Sequence, residues 1–283
     1  MSRKRGKRGI ARPRAEDFVP LPPEEEARLR AEAEAYAAST AEYESFAEPE
    51  DGSEPLGPPP SLEDAIFALE SWQDAGKAAQ MAQYHKAERH YLGITNAAID
   101  DMVALWRGQL DVDGRVDLAR GLWDTNIHEA RIAAAKLLVQ ARLRPDQAAW
   151  DLIAEWVEQL DAWAIADQVC KAGEKRLVAD PARLDQVETW TQSENLWARR
   201  SAFVITQPWT KQRSPKPEDL AVRERVLGWA EALAADRDWF IQNAIAFWLR
   251  DLSKKDPERV RAWLETSGET LKTFARKEAS KFL

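Results

Sequence analysis

The stretch Leu160 to Cys170 reads L-D-A-W-A-I-A-D-Q-V-C. Trp163 and Asp167 stand four residues apart there, in a run of Ala, Ile and Val. On a helix that spacing puts both on one face, one turn apart. A carboxylate in so apolar a setting is costly to bury unless a cation or a hydrogen-bond donor meets it. Chemically, such a pair suits positive charge: the carboxylate attracts it, and an electron-rich ring face adds roughly 0.5–2 kcal/mol depending on solvation. Each residue also has an ordinary reading, Trp163 as core packing and Asp167 as a cap or ion-pair partner.

The elements that must position this pair are helices. Of the 283 residues, 45% are hydrophobic, only 12 are Gly, and few segments alternate with period two, which favours an all-α protein. The periodicity predicts helices over 61–72, 75–90, 95–108, 114–124, 127–143, 145–159, 161–177, 181–190, 194–206, 217–234, 237–254, 256–266 and 269–281. Ser61 is the expected N-cap of the first, with Asp64 three residues on. Pro145, Pro181, Pro217 and Pro257 fall where first turns should begin. Lengths of this order with short links suggest antiparallel pairs stacked in sequence, a curved helical-repeat solenoid with a concave binding face, although no strict sequence period is present. Among the 13 Trp, the ordinary reading is core packing for Trp72, Trp106, Trp123 and Trp150.

Charge divides the chain. Residues 1–14 carry seven Lys/Arg and no acid, residues 15–64 carry 2 basic and 15 acidic residues, and the remainder is close to neutral at −2 of the total −8. Residues 1–60 are therefore expected to form a largely disordered leader, with a basic tip, an acidic Pro/Glu/Ala-rich continuation and one helix near 23–47. Residues 61–283 form the expected solenoid. The basic tip is either a phosphate contact or a solvated tail. A near-neutral body can still hold a basic face, so the acidic total does not exclude nucleic acid. The apolar runs are too short for a membrane span, and the basic start is not followed by the apolar stretch of a signal peptide. The single Cys170 rules out an internal disulfide and fits a reducing cytoplasm. One Cys with His85, His90 and His128 lacks zinc-ligand spacing, so these His are expected at the surface or in helix packing, with no metal and no cofactor.

Three more stretches accompany the opening one: Q-Y-H-K-A-E-R-H-Y-L-G-I from Gln83, S-E-N-L-W-A-R-R-S-A-F from Ser193, and W-F-I-Q-N-A-I-A-F-W-L-R from Trp239. With L-W-D at 122–124 and K-E-A-S-K at 277–281, their order and spacing resemble the DNA alkylation repair family over roughly residues 65–283. The resemblance implies a HEAT-like solenoid that acts as an alkylpurine DNA glycosylase. It implies a monomeric, cytoplasmic, nucleoid-associated protein whose partner is double-stranded DNA with alkylated bases. Carried over by position, the active groove would use Asp167 and Trp163 as catalytic residues and Tyr84 and Arg200 as lesion- and DNA-binding residues. A further aromatic is expected before L-R, where the family usually has Trp; here Phe247 stands there, beside Trp248. The acid often found directly after the groove Trp is replaced by Ala164. Lys86, Arg89, Arg200, Lys211, Arg213 and Arg250 are candidates for a basic rim.

The chemistry accounts for these residue types independently. A purine alkylated at N3 or N7 is cationic and already a good leaving group, so its glycosidic bond needs little general-acid help. Positive charge then builds on the deoxyribose, where one carboxylate stabilises it and orients water. At about 4 Å and an effective dielectric near 20 that attraction is roughly 4 kcal/mol, or on the order of a thousandfold in rate. Arg200 suits a phosphate clamp, because its fork binds two oxygens; its ordinary reading is an ion pair with Glu194 or Asp185. Two rival functions are a non-catalytic DNA-binding relative, which has no use for Asp167, and a helical-repeat scaffold for proteins, which gives no reason for Tyr84, Asp167 and Arg200 to occur together.

Overall fold

The computed structural model describes residues 57–283, and the basic tip and the helix expected near 23–47 lie outside them. The described residues form helices α1 (Leu62–Glu70), α2 (Ala75–His85), α3 (Asn96–Gln109), α4 (Val112–Asp124), α5 (His128–Leu137), α6 (Gln147–Glu158), α7 (Trp163–Ala179), α8 (Leu184–Trp190), α9 (Leu196–Val204), α10 (Gln207–Lys211), α11 (Pro217–Leu233), α12 (Trp239–Ser253), α13 (Pro257–Ser267) and α14 (Thr273–Ala279). There is no strand among them; one isolated bridge joins His90 to Ile127.

Local chemistry starts these helices. Ser61 and Asp64 form a capping box, and Asp74, Thr95, Asp111, Asn195, Asp238 and Asp256 each accept a first-turn N–H. Pro217 and Pro257 occupy the first turns of their helices, and Pro181 opens the 3-10 turn before α8. Pro145 does not: it precedes Asp146, the N-cap of α6, whose carboxylate is held instead by both terminal nitrogens of Arg183.

The helices pack in pairs, and the pairs stack. In one layer α5 packs on α7, α7 on α9 and α9 on α12; α4, α6 and α8 cover α5, α7 and α9 in turn, and α13 and α14 cover α12. The repeat absent from the letters is present in the hydrogen bonds. The indole N–H groups of Trp123, Trp150 and Trp263 donate to Gln159, Gln186 and the Leu227 carbonyl, each 36 residues away. This explains three of the 13 Trp: each indole fills an inter-repeat gap with a large apolar body and satisfies its one polar atom on the neighbouring repeat. Trp106, Trp123 and Trp150 are buried as expected. Trp72 is not; it lies in the turn after α1 and is 62% exposed, because no helix of the described stack precedes α1.

Two expected helices are shortened for non-local reasons. The helix expected to reach residue 90 ends at His85, where Lys86 takes a left-handed φ of 57°. Residues 92–94 instead offer three backbone N–H groups to the fully buried carboxylate of Glu129, at 2.9, 2.7 and 3.3 Å. Gly93 has φ 79°, and a Cβ there would fall 2.3 Å from the Asp74 carbonyl oxygen, so only glycine lets this segment lie against α2. The helix expected to reach 143 ends at Leu137, and the buried Arg176 gathers the carbonyls of Gln140, Ala141 and Leu143 that follow. The short α10 follows α9 where sequence periodicity gave only a loop.

Candidate functional site

The layer α5–α7–α9–α12 is almost wholly buried; α5 leaves only Arg131 partly open, and α7, α9 and α12 each leave a narrow half-buried stripe. On α7 the residues left partly open before the last turn are Trp163, Asp167, Lys171, Glu174 and Lys175. On α9 they include Trp197, Arg199 and Arg200, and on α12 Phe240, Phe247 and Arg250. α9 packs between α7 and α12, so these residues lie on successive helices of one layer.

Asp167 Oδ1 accepts a 2.6 Å hydrogen bond from Arg200 Nη1, with the two side chains 23% and 13% exposed. Burial opposes the guanidinium's charge, but the Asp167 carboxylate outweighs it and raises the Arg200 pKa above its usual value. Neither Glu194 nor Asp185 takes Arg200; Asp185 pairs with Arg225. The Arg200 guanidinium carbon also stands 6.0 Å from the Trp197 ring centre.

On the other side of Asp167, one turn back, Trp163 meets two rings edge-on or tilted: Tyr84 at 6.2 Å and His85 at 5.7 Å between centroids. Tyr84, Trp163, Asp167 and Arg200 are thus linked in a row although 116 positions separate the first from the last. Phe247 has no ring contact with that row. Its face is covered by Arg250, whose guanidinium lies 4.2 Å from the ring centre and pairs with Glu278 at 2.7 Å and Asp251 at 3.2 Å.

The rim candidates divide. Lys86, Lys211 and Arg213 are exposed. Arg89 is not a rim residue: its side chain is fully buried and paired with Asp161. Arg250 is held by its two acids, and Arg200 is engaged by Asp167 rather than free as a clamp.

Sequence reasoning missed the layer behind Tyr84. His85 stacks on His128 at 4.6 Å, and Tyr91 closes the cluster at 4.8 Å from His128. Adjacency of His85 to Tyr84 was the only signal in the letters. Burial, then His85 and Arg89, push the His128 pKa down to about 2. His128 is therefore neutral in the fold but takes a proton when unfolded below its ordinary value near 6.5. Its contribution to stability is complete above that value and is lost as pH falls toward 2. Unfolding free energy from urea titration should fall by about 1 kcal/mol between about pH 7 and 5.5 on account of this group. His128→Phe should remove that part of the slope; equal slopes in both proteins would discount it. Cys170 is buried beneath the site, and burial pushes its thiol up to about 12, which disqualifies it as a nucleophile at neutral pH. Among the described residues no cluster of three or more His, Cys, Asp or Glu could hold a metal. No described helix is long and apolar enough to cross a membrane.

A stack of paired helices, one layer of which carries an acid, an arginine and a row of rings along its half-buried positions, defines a class, helical-repeat proteins with a charged aromatic face. A profile of the DNA alkylation repair enzyme family matches residues 65–283, and the chain belongs to that family. Among solved structures it is similar to a predicted DNA alkylation repair enzyme from Enterococcus faecalis, at 20% identity and a TM-score of 0.63, covering 75% of this chain and 96% of that one. It is also similar to AlkD2 from Streptococcus mutans, at 19% identity and a TM-score of 0.55, covering 79% and 99%. At these identities the likeness shows the fold. No curated protein sequence matches the chain significantly.

Proposed function

We propose that this repair protein is a DNA glycosylase that hydrolyses the N-glycosidic bond of cationic N3- or N7-alkylated purines in duplex DNA. The observation that carries the reading is the half-buried Asp167 carboxylate, held by Arg200 at 2.6 Å and one helical turn from Trp163, whose ring meets Tyr84. In this reading the rings line the space beside the lesion and attract its charge. As the bond to the cationic base breaks, Asp167 stabilises the charge appearing on the deoxyribose and orients the attacking water. The base leaves neutral. Arg200 has further N–H groups beyond the one given to Asp167, and these fit a phosphate oxygen beside the lesion. Phe247, covered by Arg250 and apart from these rings, has no part in lining that space.

The Arg200–Asp167 pair also favours a second reading, because a carboxylate already paired has less field left for a sugar cation. The ion pair at 2.6 Å gives Asp167 a use that its place in the sequence did not, holding Arg200, so a protein that binds DNA through this face without chemistry could carry the same acid. Release of free base from N7-methylguanine-containing duplex, followed in single turnover beside a no-enzyme control, separates the two. Release faster than the control supports the glycosylase, and release at the control rate overturns it.

A further inference from the structure

The open stripe of α7 does not stop at Asp167. Lys171 is one turn further, and Glu174 and Lys175 follow, while Ala166, Val169, Cys170, Ala172, Arg176 and Leu177 between and after them are buried. Four residues of helix advance roughly 6 Å, so Lys171 follows Asp167 by about one turn along the same open line. α10 packs on α7 and ends at the exposed Lys211. Lys171, Lys175 and Lys211 all act on Glu174, whose carboxyl is pushed up by burial and pulled back by these three cations. Only Lys175 pairs with it, at 3.6 Å. Lys171 and Lys211 make no ion pair or hydrogen bond among the described residues, and Lys136, which Lys171 also faces, is already taken by Asp100. The neighbouring charges therefore cancel in pairs, Arg200 with Asp167 and Lys136 with Asp100, and leave two ammonium groups over.

We propose that Lys171 and Lys211 form a seat for a backbone phosphate of duplex DNA, one helical turn along α7 from Asp167. The proposal rests on the DNA-acting reading above but not on its chemistry. It also resolves what Arg200 alone leaves short: with one of its nitrogens committed to Asp167, the strand needs a second, uncommitted anchor to keep the sugar against the carboxylate. Compact ammonium groups on flexible stems can follow a phosphate without a fixed fork. Glu174, flanked by three lysines, keeps the empty seat from self-repulsion.

The test is binding of a fluorescent duplex without any lesion to Lys171→Gln, Lys211→Gln and the double variant, over a range of salt. Each true phosphate contact accounts for about one unit of the slope of log affinity against log salt, so the double variant should lose about two. Lys171→Arg with Lys211→Arg keeps the charges and should restore the slope. With N7-methylguanine duplex, the double variant should raise KM and also slow single-turnover release at saturation, because the removed anchor keeps the sugar against the carboxylate, and Lys171→Arg with Lys211→Arg should restore both. A slope unchanged in the double variant, or a wild-type protein that does not bind duplex at low salt, overturns the seat. A lysine-dependent slope without base release leaves the seat standing and removes the glycosylase reading. Base release with an unchanged slope does the reverse.

Discussion

Asp167→Asn should release N3- or N7-methylpurine from duplex DNA about a hundred- to a thousandfold more slowly than the wild type in single turnover. The substitution keeps the shape of the side chain and an oxygen that accepts from Arg200 Nη1, so the 2.6 Å contact can persist. What is lost is the negative charge, roughly 4 kcal/mol of attraction for a sugar cation at about 4 Å and an effective dielectric near 20. Duplex binding should be retained or become tighter, because the guanidinium then has no anion of its own and meets a phosphate with its full charge. Slower chemistry together with undiminished binding is the signature to look for; a folding defect would reduce both. Some release remains, since a cationic base leaves slowly without help. Equal release by the two proteins, above the uncatalysed control, would take Asp167 out of the mechanism.

Glu129→Ala should lower the unfolding free energy by about 3–5 kcal/mol, measured by urea titration at neutral pH. The carboxylate is fully buried and accepts from Leu92, Gly93 and Ile94. Removing it leaves three buried donors without an acceptor, each costing about 1–3 kcal/mol before the segment relaxes, and opens a cavity as well. Glu129→Gln should cost less but still about 2 kcal/mol, because it keeps one acceptor and turns an NH2 group toward donors. The effect reaches the site, since residues 92–94 end the loop that follows Tyr84 and His85 at the close of α2. Amide exchange at Leu92, Gly93 and Ile94 should accelerate together. A loss below about 1 kcal/mol would mean that the loop is held by its other contacts.

These residues show how far the letters could be read. The helices of the body were legible because their signals are local: Ser61 with Asp64, Pro217 and Pro257 in first turns, and the apolar period through α6 and α12. Errors arose where a distant side chain decides the local backbone. The helix through 75–90 stops at His85, where Lys86 turns left-handed, and the segment beyond is fixed by Glu129, more than 35 positions later, which takes the N–H groups of Leu92 and Gly93. The one through 127–143 stops at Leu137 because Arg176 collects the carbonyls beyond it. In the site, Tyr84, Trp163, Asp167 and Arg200 come together, whereas Arg89 turns inward onto Asp161, 72 residues away, and Phe247 meets Arg250 instead of the other four.

By itself the sequence determined that the body is helical, where most helices begin, and that Trp163 and Asp167 share one face of α7. Those properties follow from dihedral preference, capping and a 3.6-residue period, all of which act within one or two turns. Only the tertiary structure decided which cation meets Asp167, which lysines stay uncommitted, which Trp is left open to solvent and which loop lies against Tyr84. Spacing along a helix says which side chains look the same way. The register of one repeat on the next, fixed by packing and by hydrogen bonds 33 to 37 residues apart such as Arg200–Asp167, Trp123–Gln159 and Arg183–Asp146, says what they look at.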